Sequence, residues 1–414
     1  VYGIRVYRDV MDVKGTISLA VIITSYRYVP QILEDCAKRG IISVIVVSDG
    51  FGENGDEGKK RERELIDSAH RAGMRIIGPN TLGVYNPDSG FSTIPYEKGY
   101  VRPVQGVLSI ITQTGMYGPQ AIALDEYRFG ISKIIDLGNM CDVDETECLE
   151  YLGQDPHTRV ISCYLEHIRN PRRFLDVARQ VSRDKPILCL KGGKTLASAQ
   201  ALASHTGSMA GDDALYEALF RQAGIIRVEE YEDLLEYAKV FTLDHLPAGN
   251  RLGIISLTGA IGIQCIDAAS LSGLSLGVLS PESRRRLSEL NHTLGGHPID
   301  LGPASAMAGM DMLIFYTRCF DILMEDKNID CIYLNLYTSS YLSSDFYSEF
   351  LHHMREHMNK PVVAWAYGSS SESLHKIRGA MENLGIPFLP TTFKAIRSLG
   401  HLVQYAAWQR TVQD

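Results

Sequence analysis

The residues best suited to chemistry lie between positions 186 and 213, in the segment PILCLKGGKTLASAQALASHTGSMAGDD. Its apolar start, residues 187–191, predicts a buried strand, and small residues then surround His205 before a helix that we expect to begin near Asp212. Small residues let backbone N–H groups approach a ligand, and N–H groups at a helix start attract anions. Because a neutral imidazole nitrogen can accept a phosphoryl group, the segment indicates phosphate chemistry at His205. The alternative is a polar loop in which residues 204–207 only cap a helix.

A phosphorylated histidine needs an acceptor for the proton on its second ring nitrogen, and a carboxylate serves best because it also stabilises the charged ring. Glu166 ends a predicted strand over residues 160–166. We therefore expect Glu166 to reach the same edge of a sheet as His205. The alternative is a glutamate at a strand end that faces water.

A second polar turn follows the apolar run 106–111 and consists of Thr112, Gln113, Thr114 and Gly115. Hydroxyls and free N–H groups between a buried strand and a helix lie where a phosphate binds, although ordinary helix capping uses the same residue types. We expect the helix to span residues 119–127. Two such helix starts, here and after His205, would converge on one anion.

A third turn, GPNTLGV at residues 78–84, follows a predicted strand. Its glycines and Asn80 favour positive φ and local hydrogen bonds. The segment alone predicts a turn, and contact with a ligand is the less common alternative.

Composition excludes several classes of function. The formal net charge is −8 and no basic cluster carries interleaved aromatic residues, which disfavours nucleic-acid binding. The apolar runs are strand-sized, so we expect no membrane span. The eight cysteines are scattered without a C-x-x-C pair, which is typical of reduced thiols in a cytoplasmic protein. We assign no metal ligands.

Strands and helices alternate at a spacing typical of parallel sheets with crossover helices. In the first part of the chain, we predict strands over residues 18–24, 41–47 and 74–77, and helices over 29–39 and 57–72. Ligands bind at the carboxyl ends of the strands in such sheets, so residues 24–28, 48–52 and 78–83 should line one edge. Residues 88–103 show no periodicity and are predicted to form a connector.

The second and third parts begin alike, which indicates two tandem copies of one doubly wound unit. LSIITQTGMYG, from residue 108, and LGIISLTGAIG, from residue 252, share a strand, a Thr-Gly turn and a glycine three residues later. Further strands are predicted over residues 133–136, 160–166, 187–191, 226–229, 331–336, 362–367 and 388–389. A helix is predicted near residues 231–241 and a linker over 242–250.

Taken together, these motifs resemble the nucleoside-diphosphate-forming acyl-CoA synthetases, which are relatives of succinyl-CoA synthetase. The resemblance is carried by GPNTLGV, TQTG, YLEHIRNPRRF, LKGGKTLASAQALASHTGSMAG and HPIDLGP. It implies an α/β fold with a truncated Rossmann-like CoA-binding domain over residues 1–95, N-terminally incomplete because the family's first strand and Gly-rich loop do not precede Val1. Two flavodoxin-like doubly wound parallel-sheet domains then follow, a first succinyl-CoA-synthetase-like ligase domain over 104–243 and a second over 250–414.

The resemblance also implies roles for individual residues. Acyl-CoA and inorganic phosphate would give an acyl phosphate and free CoA, after which His205 would take the phosphoryl group and Glu166 would stabilise the phosphohistidine. The phosphate would be held by Thr112, Thr114, Gly115, Gly207 and Ser208. The residues expected to contact CoA are Thr24, Pro30, Asn80 and Thr81.

The phosphoryl group would then pass to ADP or GDP, giving ATP or GTP, on an ATP-grasp domain that binds the nucleotide with magnesium. This sequence contains no ATP-grasp domain, so the resemblance implies an ATP-grasp beta subunit or domain as partner, and an oligomer. One alternative is a non-catalytic subunit that binds CoA or acyl-CoA and regulates. A nicotinamide-dependent dehydrogenase is disfavoured, because no G-x-G-x-x-G follows the first strand.

Overall fold

The computed structural model describes residues 3–94, 105–115, 127–206, 212–308, 312–339 and 342–413, and for residues 203–206, 305–308 and 413 it describes the backbone alone. Two compact units are formed, Val1–Leu234 and Leu235–Asp414. None of the helices within these ranges combines the length and the hydropathy of a membrane-spanning segment. All eight cysteines are free and buried.

The first unit begins with a three-stranded parallel sheet, in the order β1-β2-β3. Its strands are β1 (Ala20–Ile22), β2 (Ser43–Val46) and β3 (Arg75–Ile77), and its crossover helices are α1 (Val29–Lys38) and α2 (Gly55–Arg71). α1 buries Val29, Leu33 and Cys36, which recur at helical spacing and therefore pack on the sheet as one stripe. The strands and helices predicted here are confirmed, with ends that differ by up to two residues.

A seven-stranded sheet follows, in the order β10-β9-β8-β6-β7-β4-β5. Its strands are β4 (Val84–Asn86), β5 (Phe91–Ser92), β6 (Gln105–Thr112), β7 (Ile131–Asp136), β8 (Val160–Leu165), β9 (Ile187–Lys191) and β10 (Ile226–Val228). All neighbours pair in parallel except β4, which is antiparallel to both β7 and β5. The connector predicted over residues 88–103 contains the short strand β5, whose pairing with β4 supplies the order that the local sequence does not indicate.

Helices α3 (Glu145–Gln154), α4 (Pro171–Val181), α5 (Leu196–Thr206), α6 (Asp213–Ala223) and α7 (Asp233–Glu236) accompany this sheet. α5 occupies the small-residue segment around His205, for which no helix was predicted. It begins at a reciprocal cap, in which Thr195 Oγ1 accepts from Ser198 N at 3.1 Å and Ser198 Oγ accepts from Thr195 N at 2.9 Å. The helix predicted over 119–127 lies outside the described residues except for its last one, and the helix expected near 231–241 is instead α7 followed by the 3₁₀ turn Tyr237–Thr242.

The chain runs from β6 to β7, which pairs with one side of β6. It then continues to β8, which pairs with the other side of β6. The order β7-β6-β8-β9-β10 is the 2-1-3-4-5 order of flavodoxin-like sheets. Connections leaving β6 and β8 therefore diverge to opposite sides. This topological switch point leaves a crevice beyond the carboxyl ends of β6 and β8.

The second unit contains a five-stranded sheet, in which four strands follow one path and the fifth pairs outside it. Its strands are β11 (Arg251–Ser256), β12 (Ser275–Leu276), β13 (Ile299–Asp300), β14 (Cys331–Thr338) and β15 (Val362–Gly368). β12 pairs with the start of β11 and β13 with its end, β14 pairs with β11 as well, and Phe388 adds a parallel bridge to β15 at Ala364. The prediction of two tandem flavodoxin-like units is confirmed.

The helices of the second unit are α8 (Gly259–Leu271), α9 (Pro281–Leu290), α10 (Leu301–Ala308), α11 (Met312–Glu325), α12 (Ser344–His357), α13 (Ser371–Asn383) and α14 (Thr392–Gln413). The core lies between the sheet and the helices α11, α12 and α13. It includes Phe320, Phe350 and Leu334, each with no more than 1% of its surface exposed.

Candidate active site

The carboxyl ends of β6, β8 and β9 meet at one edge of the seven-stranded sheet. In the ladders, Thr112 pairs with Tyr164 and Leu165 pairs with Lys191, so the turn after Thr112 lies beside Glu166. This edge is the switch point of the sheet, where ligands bind in doubly wound folds. The structure thus brings together the two polar segments that the sequence singled out on β6 and β8.

The turn after β6 is closed by Thr112. This residue is buried, and its hydroxyl donates to Thr114 O at 2.8 Å and accepts from Thr114 N at 3.1 Å. Its polar atoms are therefore engaged within the turn. Thr114 and Gly115 are only partly buried, so they are the members of this turn that a ligand can reach.

Gln113 joins the ends of β6 and β8 through its buried side-chain amide. Its Oε1 accepts from Glu166 N at 2.6 Å and from His167 N at 3.2 Å, and its Nε2 donates to His167 O at 3.0 Å. Nε2 also lies 3.1 Å from Met140 Sδ. No role was predicted for Gln113 from the sequence. One sequence feature could have indicated its role: it is a side-chain amide, which can both donate and accept, and it lies between two threonines in a turn after a buried strand.

Glu166 is 7% exposed, so the structure places it inside the edge of the sheet and not in open solvent. The ammonium of Lys191 donates to Glu166 O at 2.6 Å, donates also to Gly192 O, and lies 4.3 Å from the centre of the Tyr216 ring. The Tyr164 hydroxyl lies 3.5 Å from Glu166 Oε1. Burial and the nearby carboxylate raise the pKa of Tyr164 to about 12, so this hydroxyl remains a donor at neutral pH.

His167 lies beside Glu166 and is uncharged at neutral pH. Burial lowers its pKa, and the cations Lys191 and Arg169 lower it further. Its Nδ1 is buried and has no hydrogen-bond partner among the residues that the structure describes. Positive charge near this edge therefore comes from Lys191 and Arg169, and not from the imidazole.

The backbone of His205 lies in α5, which follows β9 through a glycine pair. Gly193 has φ of 77°, and a Cβ on Gly192 would lie 3.1 Å from the Tyr164 hydroxyl and 3.8 Å from Glu166 Cγ. The small residues thus let the chain pass close to Glu166 on its way into α5. The side chain of His205, together with Gly207 and Ser208, lies outside the described residues, so their assigned roles remain predictions.

The predicted CoA contacts lie at the carboxyl edge of the three-stranded sheet. Ser48 connects the three strand ends, because its Oγ accepts from Thr24 N at 3.3 Å and its carbonyl accepts from Asn80 N at 2.9 Å. Asn80 is exposed with φ of 57°, and Pro30 is exposed in the first turn of α1. Thr24 and Asn80 are therefore brought together around Ser48.

Thr81 is placed differently from the other predicted CoA contacts. It is 3% exposed, its hydroxyl donates to Asp136 O at 2.5 Å, and the same oxygen accepts from Gly83 N at 2.8 Å. The side chain is therefore engaged between the first sheet and β7, and its hydroxyl is not presented at the open edge.

A pair of carboxylates ties the loop after β2 to the turn after β7. Asn139 Nδ2 donates to Glu53 Oε2 at 2.5 Å and to Glu62 Oε2 at 2.9 Å, and Glu62 Oε2 also accepts from Gly52 N at 2.9 Å. Burial raises the pKa of Glu62. Burial acts in the same direction on Glu53, but hydrogen bonds from Asn139 and from the backbone outweigh it and lower that pKa.

The edges of the first two sheets lie near one another. α5, which carries the backbone of His205, packs against the 3₁₀ turn Gly52–Asn54 that follows β2. The candidate phosphate site and the candidate CoA site therefore belong to one region of the first unit.

Two family models match this chain. Residues 105–241 match the succinyl-CoA ligase like flavodoxin domain, and residues 1–87 match a CoA binding domain. Over 99% of its length, the chain is 33% identical to acetate–CoA ligase (ADP-forming) II of Archaeoglobus fulgidus, and it spans 60% of that protein. It is also 33% identical to the alpha subunit of acetate–CoA ligase (ADP-forming) I of Pyrococcus furiosus, over 98% of this chain and 86% of that subunit.

The fold also matches a solved structure, that of the dinucleotide forming acetyl-coenzyme A synthetase 1 of Ca. Korarchaeum cryptofilum in complex with phosphate and ADP. The TM-score is 0.88 at 29% identity, and the match covers 100% of this chain and 88% of that chain. The likeness therefore extends over all three sheets described above.

Proposed function

The chain belongs to the family of ADP-forming acyl-CoA synthetases, and we propose that it is the CoA-binding and phosphohistidine-carrying part of such a ligase. The observation that carries the proposal is the meeting of the Thr114–Gly115 turn with Glu166 at the switch point, beside the glycine pair that leads into the helix of His205. Turn N–H groups, a carboxylate and a histidine are the groups that phosphoryl transfer through histidine requires.

The reaction that we propose has two steps on this chain. Inorganic phosphate attacks the thioester carbonyl of an acyl-CoA, a C–O bond forms, the C–S bond breaks, and the CoA thiolate takes up a proton. The acyl phosphate then gives its phosphoryl group to a ring nitrogen of His205 and leaves as a carboxylate. Glu166 accepts the proton of the other ring nitrogen in a hydrogen bond and stabilises the phosphohistidine.

Each remaining residue has a defined role in this proposal. Thr114 and Gly115 hold the phosphate, together with Gly207 and Ser208, while Thr112 shapes the turn. CoA binds along the edge of the three-stranded sheet at Thr24, Asn80 and Pro30. The half-buried Thr24 and the exposed Asn80 around Ser48 support this placement, and the engaged hydroxyl of Thr81 favours a supporting role for that residue.

The rest of the assembly follows from the family. We propose a CoA-binding domain over residues 1–95 and ligase domains over 104–243 and 250–414, working as an oligomer with an ATP-grasp beta subunit or domain. That partner would bind ADP or GDP with magnesium and accept the phosphoryl group from His205. The buried free cysteines support a cytoplasmic location.

The test is transfer of labelled inorganic phosphate to the chain in the presence of a panel of short acyl-CoAs. We expect an acid-labile, base-stable label on wild type that is lost in His205→Asn and kept in His157→Asn. His157 is a suitable control because it belongs to the same unit and its side chain is 57% exposed. Label that survives in His205→Asn would remove this residue from the mechanism. A wild-type chain that binds CoA but takes no label, even with an ATP-grasp partner present, would indicate a non-catalytic CoA-binding subunit.

A further inference from the structure

We propose that Gln113 is a positioning residue that sets the direction of the Glu166 carboxylate towards His205. This inference rests on the proposed function, because it concerns how the partner of the phosphohistidine is held in place. Gln113 itself would touch neither phosphate nor acyl group.

The geometry links one amide to two consecutive peptide groups. Gln113 Oε1 receives the N–H groups of both Glu166 and His167, and Gln113 Nε2 donates to His167 O. The bond from Glu166 N is the shortest of the three, at 2.6 Å. The backbone on both sides of the Glu166 Cα is therefore fixed from β6.

Lys191 holds the same residue from the opposite side. Its ammonium donates to Glu166 O at 2.6 Å, and it belongs to β9, the neighbour of β8 on the side away from β6. Glu166 thus lies just past the end of β8 with its N–H bound to one neighbouring strand end and its carbonyl bound to the other. The orientation of the peptide groups determines the direction in which the side chain leaves the backbone. The hydrogen bonds to Glu166 N and O therefore restrict where its carboxylate can point.

Because these hydrogen bonds are buried, they require a side chain with the donors and acceptors of glutamine. Gln113 is 8% exposed and Glu166 is 7% exposed, so bulk water does not readily replace a lost bond. A side chain in this place must accept two N–H groups and donate to one carbonyl, which a carboxamide does and a hydrocarbon does not. Leucine fills a similar volume without polar atoms. Ionised glutamate lacks the donor for His167 O and adds a negative charge beside Glu166.

A positioning role and a merely structural role predict different couplings. If Gln113 acts through the Glu166 carboxylate, its removal costs nothing further once that carboxylate has been replaced by an amide. If Gln113 only supports the local fold, its removal costs the same in both backgrounds.

The experiment measures the rate at which His205 becomes labelled from phosphate and acyl-CoA, in wild type, Gln113→Leu, Glu166→Gln and the double variant. We expect Gln113→Leu to slow labelling by about 10- to 100-fold in the wild-type background, the loss typical of a catalytic group displaced by about 1 Å. We expect less than about a twofold further loss in the Glu166→Gln background.

Two matched controls remove buried hydrogen bonds from the same strands without touching Glu166. Ser109→Ala on β6 removes a bond to Thr158 Oγ1, and Ser162→Ala on β8 removes a bond to Leu234 O. Both should label at the wild-type rate. Equal losses from Gln113→Leu in the two backgrounds would overturn the inference and leave the proposed function intact.

A second variant covers failure of Gln113→Leu to fold. Gln113→Glu is slowed at pH 7 and should recover towards the wild-type rate as the pH falls to about 5, because a protonated carboxyl again donates and accepts. A constant ratio to wild type across that range would overturn the inference. Wild type that never carries label on His205 would overturn the proposed function, and this inference with it.

Discussion

Asp142, in the loop after β7, binds the guanidinium of Arg75 at the start of β3. Asp142 Oδ2 lies 3.0 Å from Arg75 Nε and also accepts from Ile76 N at 2.8 Å, while Oδ1 lies 2.9 Å from His70 Nε2. The Asp142 side chain is 5% exposed and that of Arg75 is 51% exposed. One carboxylate thus satisfies a backbone amide and a cation of the first sheet from the neighbouring sheet.

Replacement of this carboxylate should loosen the contact between the two sheets. We expect Asp142→Asn to cost about 2–3 kcal/mol, because the neutral amide removes the charge that pairs with Arg75, and its NH2 group cannot accept the hydrogen bonds that one of the two carboxylate oxygens receives. Faster hydrogen exchange at Ile76 would report the loss. Asp35→Asn is the matched control, since Asp35 pairs with Lys38 on the surface and should cost less than about 1 kcal/mol.

The same contact should depend on pH. Burial alone would raise the pKa of Asp142, but hydrogen bonds from Arg75 and His70 outweigh burial and lower it. A carboxyl with a lowered folded-state pKa stabilises the fold above its unfolded pKa of about 3.9, and this stability is lost as the pH falls further. Ile76 exchange should therefore become less protected in acid in wild type, while a similar decline in Asp142→Asn would contradict the assignment.

A fully buried lysine should be needed for the stability of the second unit. Lys239 Nζ lies 2.7 Å from carboxylate oxygens of both Glu236 and Glu382, and its side chain is 0% exposed. We expect Lys239→Met to destabilise this unit by about 3–5 kcal/mol, because Glu382 is left buried without this cation. Adding Glu382→Leu should restore most of the loss. Fluorescence is a selective readout, since both tryptophans, Trp365 and Trp408, lie in this unit.

The hydrogen bonds of His297 predict that the stability of the second unit depends on pH. Its Nε2 accepts from Ile254 N at 2.9 Å and its Nδ1 donates to Gly277 O at 2.6 Å, so the ring must be neutral. Burial lowers its pKa, although the bond to Gly277 opposes this. Because the unfolded chain binds the proton first, stability should fall as the pH drops below about 6.5.

His297→Gln should flatten this part of the tryptophan-detected stability profile, because a carboxamide both donates and accepts without titrating near neutrality. His352→Gln is the control, since His352 bonds Ser348 O at an exposed site and its replacement should leave the profile unchanged. A profile that keeps its full slope in His297→Gln would assign the effect to another group.

The loop after β2 offers a test of the proposed CoA edge. Gly50 has φ of 95°, and a Cβ there would lie 2.5 Å from Tyr26 Cδ1, on a ring that the Arg61 guanidinium covers at 4.7 Å. Gly50→Ala must displace Tyr26, and we expect KM for acyl-CoA to rise about tenfold, equivalent to about 1.4 kcal/mol. Labelling from a preformed acyl phosphate, which needs no CoA, should be unchanged.

Gly55→Ala is a control that shows whether a steric clash or backbone strain causes the effect of Gly50→Ala on KM. Gly55 also has positive φ, at 69°, but a Cβ there would meet no atom within 4 Å. If Gly55→Ala raises KM as much as Gly50→Ala does, strain alone explains the effect and the packing of Tyr26 is irrelevant to CoA.

Apolar runs predicted most strands because burial of both sheet faces leaves a continuous hydrophobic signature. Residues 187–191 are an example, since prediction and structure agree at both ends of β9. The repeated opening of the second and third parts, a strand followed by a Thr-Gly turn, predicted two tandem copies of one doubly wound unit.

The features that could not be predicted from the sequence depend mostly on contacts with residues far away along the chain. Gln113 meets His167 across 54 positions, and β5 is ordered by pairing with β4 and not by its own two residues. α5 was missed because its alanines and serines carry no apolar stripe, although alanine and leucine favour helix. Thr81 has a loop-like sequence context, yet its hydroxyl is taken up by Asp136 O, which lies 55 positions away.

The hairpin of β4 and β5 has a practical consequence for dividing this protein into expressible pieces. It directly follows the first sheet in sequence but pairs with β7 of the next one. A fragment starting after residue 95 would lose both strands and expose the backbone edge of β7. An exposed strand edge promotes association between molecules. A fragment starting before Val84 would retain them and should stay monodisperse where the shorter one precipitates.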